Sequence, residues 1–116
     1  MSLPRPLPEP VVELIAQRFR VIGEPLRIRL LDALRDDERS VGELVEIVGS
    51  TQQNVSKHLV VLHQAGIVSR RKEGNRVLYA ISDRSVFALC ETVCGGLQQQ
   101  VAELALILEG AGAPAS

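Results

Sequence analysis

At 116 residues the chain has room for one domain, large enough to bury a modest core. Aromatic side chains make up only 3% of it, which calls for an aliphatic core, and a net charge of −1 argues against nucleic-acid binding by bulk charge alone. No window approaches the ~20 apolar residues of a membrane span, no basic segment followed by an apolar run opens the chain, and two cysteines make no disulfide framework, so a cytoplasmic protein with free thiols and no membrane partner is expected.

The opening MSLPRPLPEP carries four prolines and reads as a flexible, extended arm over residues 1–10. Val11, Leu14, Ile15, Phe19 and Ile22 then form one helical stripe. The segment GEP interrupts it, and Pro25 suits the first position of a second helix reaching about residue 35, with Leu26, Leu30, Leu31 and Leu34 inward. The acidic RDDER reads as a loop. Ser40 followed by Glu43 fits a capping box, in which hydroxyl and carboxylate satisfy each other's exposed backbone donors, so a short third helix is predicted over residues 41–48. Gly49 and Ser50 form a tight turn, Thr51 caps a fourth helix, and Gly66 ends it. Residues 67–72 and 76–81 read as strands joined at EGN, a hairpin turning at Gly74 and Asn75. A last helix runs from about residue 83 to 109, and residues 110–116 read as a flexible tail. This order predicts an α+β fold, mostly α: a winged helix-turn-helix over residues 11–109 with a long C-terminal dimerisation helix.

Charge is unevenly spread along the chain. Between residues 51 and 82, Lys57, Arg70, Arg71, Lys72 and Arg76 stand against Glu73 alone, whereas residues 36–49 carry Asp36, Asp37, Glu38, Glu43 and Glu46 against Arg39. The fourth helix is also divided, polar in STQQNVSKH and apolar in LVVLHQAG. With Val55, Leu59 and Leu62 as its buried line, helical spacing sets Gln52, Gln53, Ser56, Lys57 and Val60 on or near the outward side. In a helix-turn-helix the second helix meets DNA by its N-terminal residues in the major groove. Glutamine pairs with adenine at N6 and N7, serine serves several partners, and Lys57 suits a phosphate. Free amide donors at Thr51 and Gln52 favour another phosphate, with Asn54 in the same polar tip. Arg70, Arg71, Lys72, Asn75 and Arg76 surround the hairpin tip as a basic projection toward backbone or minor groove. If about four such cations neutralise phosphates in each subunit, log affinity against log salt has a slope near −3.6 per subunit. A polar cap and a merely soluble hairpin explain each feature singly, but not the two together in this order. His58, near the buried line, reads as a hydrogen-bonded structural histidine.

The segment 19–82, with its EPLRIRLLDAL opening, VSKHLVVLHQAGIV core and RKEGNRVLYAI wing, resembles the ArsR/SmtB family of bacterial winged-helix repressors. The resemblance implies a homodimer that binds double-stranded DNA at an imperfect palindrome in its own promoter region and leaves it when an effector binds. The family's cysteine pair at the start of the third helix has no counterpart in SVGELVEIV. Its Asp and His ligands on the last helix find Asp83 but no histidine after His63, which weighs against zinc or nickel sensing through either site.

On the last helix, Val86, Cys90, Val93, Leu97, Val101, Leu104 and Leu108 follow steps of three and four. This seam is expected to pair with the first helix and with its own symmetry mate in a two-fold interface. Cys90 and Cys94 share one side of the helix. They fit a sensor for a soft metal, a metalloid ion such as arsenite, or a thiol redox effector, and they equally fit small buried hydrophobes at a close helix contact. No other cofactor is implied. Catalysis is not expected: His58 and His63 share a helix without an acidic neighbour, and neither a nucleophile context nor a glycine-rich phosphate loop occurs. The rival from another class is a winged-helix protein-interaction module that binds no DNA.

Overall fold

The computed structural model describes residues 2–112, which form two compact units, one ending at Asp83 and the other beginning at Arg84. The first unit runs α1 (Glu9–Ile22), α2 (Pro25–Ala33), β1 (Arg39–Ser40), α3 (Val41–Val48), α4 (Gln52–Gln64), β2 (Val68–Glu73) and β3 (Arg76–Ile81). This is a winged helix-turn-helix, mostly helical with one small antiparallel sheet, as expected. α1 begins two residues inside the expected arm, because proline is tolerated in a first helical turn, where its missing N–H has no partner to lose. Gly23 separates α1 from α2. A Cβ there would come within 2.8 Å of the Phe19 carbonyl oxygen, so the close approach of the chain requires glycine.

The capping box of α3 is present: Ser40 Oγ accepts from the Glu43 N–H at 3.2 Å, and Glu43 Oε1 accepts from the Ser40 N–H at 2.9 Å. α4 ends in a Schellman motif. The Gly66 N–H donates to the His63 carbonyl and the Ile67 N–H to the Leu62 carbonyl, both at 3.0 Å, with Gly66 at φ +76 supplying the left-handed residue. The core is aliphatic as composition demands: Leu30, Leu34, Leu44, Leu59, Leu62, Val55 and Ile67 are buried, each such burial stabilising the fold by about 1.5–3 kcal/mol.

The sheet holds one strand more than the hairpin expected from sequence. Arg39, read as the end of an acidic loop, and Ser40, read as the cap of the third helix, pair with Tyr79 and Leu78 to give the order β1-β3-β2. Gly74 has φ +61 and Asn75 does not have a positive φ, the pattern of a type II′ hairpin turn, whose twist suits the flanking strands.

The second unit contains α5 (Ser85–Gly112), which extends past the expected end at residue 109; residues 113–116 of the expected tail lie outside the described residues. Its apolar seam is largely uncovered, with Val93, Leu97, Val101, Leu104 and Leu108 all at least half exposed. On α1, Leu14 and Phe19 of the predicted stripe are likewise exposed, at 66% and 52%. No helix among the described residues is long and apolar enough to cross a membrane.

Candidate nucleic-acid interface

The two ends of α4 have different tasks. Val55, Leu59 and Leu62 are fully buried, as the helical line predicts, and they anchor the helix on the core. Thr51 caps the N-terminus, its Oγ1 accepting from the Asn54 N–H at 3.1 Å, while Asn54 Nδ2 donates to Ser50 Oγ at 3.0 Å. Thr51 and Asn54 therefore spend polar capacity on shaping the helix start. Gln52, Gln53 and Lys57 are exposed and Ser56 is half-buried, with no side-chain partner among the described residues.

The register of the wing divides its cations. Arg70 lies opposite Tyr79 and Lys72 opposite Val77, on one face of the sheet; Arg71 lies opposite Leu78 and Arg76 opposite Glu73, on the other. Arg71 is ion-paired on that second face with Glu38, its Nε donating to Oε2 at 2.9 Å, and with Glu73 at 2.7 Å. Arg76 Nη2 donates to Glu43 Oε1 at 3.0 Å. The Arg71 hydrogen bond holds the Glu38 carboxyl below its ordinary range, and the Ser40 backbone N–H, with Arg76 nearby, does the same for Glu43. The Glu38 carboxylate, and Glu73 after it, push the Arg71 guanidinium up. Lys57, Arg70 and Lys72 have no ion pair among the described residues.

Seven of the residues predicted to touch DNA line two concavities. Gln52, Ser56, Val60 and His63 of α4 face Arg70, Val77 and Tyr79 of the wing across an open groove of about 480 Å³. Beside it, Thr51, Gln53, Asn54 and Lys57 line a second, more open concavity. Arg71, Lys72, Asn75 and Arg76 line neither and stand exposed on the wing. His63 and Tyr79, outside the set expected from sequence, also line the first groove. The signal for His63 was present, since it follows Val60 and Ser56 along the same helical face; Tyr79 depends on strand register.

His58 is a structural histidine: its side chain is 12% exposed, and Nδ1 accepts from Arg27 Nε at 3.1 Å. The fold also brings Glu24 to 3.6 Å from this nitrogen, an acidic neighbour that lies far off in the sequence. The Glu24 carboxylate is committed to capping α2, accepting from the Arg27 N–H at 3.1 Å. In the second unit Cys90 is half-buried and Cys94 exposed. No group of three or more His, Cys, Asp or Glu able to hold a metal ion occurs among the described residues.

Among known proteins, the profile described as "Bacterial regulatory protein, arsR family" matches residues 24–70. The HTH-type transcriptional regulator Rv0081 of Mycobacterium tuberculosis is 35% identical over 87% of this chain and 90% of its own length. Its crystal structure superposes with a TM-score of 0.75 at 34% identity, covering 84% of this chain and 99% of that one. The HTH-type transcriptional repressor SmtB of the same organism is 34% identical over 71% of this chain and 61% of its own. The crystal structure of NolR from Sinorhizobium fredii aligns with a TM-score of 0.70 at 29% identity, over 80% of this chain and 93% of that one.

Proposed function

The chain belongs to the ArsR family of bacterial regulatory proteins, and from that premise we propose how this DNA-binding transcriptional regulator grips and releases its operator. It acts in the cytoplasm as a homodimeric repressor. The uncovered apolar faces of α1 and α5 support dimerisation, since water-exposed leucine and valine along a whole helix favour burial against a second copy. Each subunit inserts the N-terminal end of α4 into the major groove of an imperfect palindrome, where Gln52, Gln53 and Ser56 meet base edges and Lys57 a phosphate. The α4 amide donors at Thr51 and Gln52 favour a second phosphate, with Asn54 holding the cap in shape. Arg70, Lys72 and Asn75 reach the flanking backbone.

One observation carries this reading: Gln52 and Ser56 of α4 face Arg70 of the wing, which has no ion pair among the described residues, across one open groove, while the apolar side of the same helix is buried. The effector acts at Cys90 and Cys94, whose position on one side of α5 lets a thiol-reactive species, or a soft ion shared with the second subunit, change the packing of that helix. Such an effector must bind the released state more tightly than the DNA-bound one. Titration of labelled duplex from the chain's own upstream region, followed by fluorescence anisotropy at several salt concentrations, tests the reading. Saturable, salt-dependent binding is expected; absent or salt-independent binding would point instead to a protein-docking module.

A further inference from the structure

Resting on the reading of the chain as a DNA-gripping regulator, we propose that Arg71 and Arg76 are positioning residues. With Glu38 and Glu43 they clamp the projecting end of the wing to the helix-turn-helix frame, leaving phosphate contact to the other cations. Backbone pairing between β1 and β3 stops at the row of Ser40 and Leu78. Beyond that row, residues 72–77 form a two-stranded projection, and its ties to the frame are side chains. Arg71, in the last three-stranded row, reaches back to Glu38 just before β1. Arg76, next to the turn, reaches Glu43 on α3.

The second tie has a particular geometry. Glu43 Oε1 accepts both from the Ser40 N–H, closing the capping box of α3, and from Arg76 Nη2 at 3.0 Å. One oxygen thus joins the start of the first helix of the helix-turn-helix to the tip of the wing. Sheet alternation sets both arginines on the face opposite Arg70, which lines the groove toward α4. A guanidinium already neutralised by carboxylates also displaces fewer condensed counterions from DNA than a free one. Exposed ion pairs are individually weak. These two act at the root and the tip of a narrow lever, so a small change in their occupancy changes how often the wing points at DNA.

The test uses the full chain and the double variant E38Q/E43Q, in which glutamine keeps each side-chain shape and still satisfies the α3 capping box. In the DNA-free protein, amide hydrogen exchange over residues 72–77 should accelerate while α4 stays unchanged. Affinity for a long duplex from the chain's upstream region should fall about tenfold for the dimer, roughly threefold per subunit, in keeping with weak exposed pairs. A duplex trimmed at both ends to the part under α4 should show no loss. The slope of log affinity against log salt should stay as in wild type, R76Q should lose as much as E43Q, and combining them should lose no more. The proposal is overturned if E38Q/E43Q binds tighter with a slope steeper by about 0.9 per subunit, the share of Arg76 freed while Arg71 keeps Glu73, because Arg76 would then be a phosphate contact held in reserve. Unchanged exchange over residues 72–77 overturns it as well. Should the wild-type chain bind no duplex at all, the functional reading fails, and the exchange measurement still decides the clamp.

Discussion

Lys57 offers the sharpest test of the interface, because its charge is counted and its surroundings are simple. It lies exposed on the outward side of α4, and with Arg70 and Lys72 it makes three interface cations per subunit without an ion pair among the described residues. If each neutralises one phosphate, six in a dimer, log affinity should fall against log salt with a slope near −5.4, equivalent to a roughly 2,000-fold loss between 50 and 200 mM salt. Replacing Lys57 with alanine removes two of the six, so the slope should relax to about −3.6 and the loss over that range to roughly 150-fold. The change leaves the core untouched, since Val55, Leu59 and Leu62 on the opposite side carry the packing. Anisotropy titrations of wild type and K57A on one duplex at four or five salt concentrations give both slopes. Equal slopes would remove Lys57 from the phosphate contacts, and a wild-type slope near −9 would mean that Arg71 and Arg76 also reach the backbone despite their carboxylate partners.

Other consequences are open to direct measurement. The Glu38 and Glu43 carboxyls are held below the ordinary value of 4.5 in the folded chain, so their contribution to stability is complete above that value and is lost as pH falls through the lowered folded-state value. Urea midpoints between pH 7 and pH 3 should therefore drop below about pH 4.5 in wild type, and part of that drop should be missing in E38Q/E43Q. Leu59→Ala should destabilise the fold by about 2–5 kcal/mol in urea titrations, because the fully buried side chain leaves a cavity that its neighbours fill only in part. Converting Cys90 and Cys94 to serine should leave operator affinity intact and abolish release by arsenite, peroxide or polysulfide; normal release by the double variant would take the thiols out of the sensing mechanism.

Several parts of the site were legible because they depend on neighbours along the chain. The Ser40 and Glu43 capping box, the Thr51 cap, the glycine that ends α4 and the buried line of Val55, Leu59 and Leu62 are all interactions within one or two helical turns, so residue type and spacing decide them. The division of α4 into a packing end and an exposed polar end follows from the same periodicity. β1 escaped notice because two residues have no period to detect, and Arg39 and Ser40 become a strand only when Tyr79 and Leu78 come alongside. His58 likewise found Arg27 and Glu24 only through the packing of α2 against α4.

Residue order alone, then, determined the helix-turn-helix, the hairpin and the concentration of basic charge between residues 51 and 82, since each is set by local spacing and composition. Tertiary structure decided which of those charges are free. Strand parity sends Arg70 and Lys72 to one face of the wing and Arg71 and Arg76 to the other, where they meet carboxylates 33 residues away. A charge acts on DNA only to the extent that nothing nearer neutralises it, and nearness between distant residues exists only once the chain has folded.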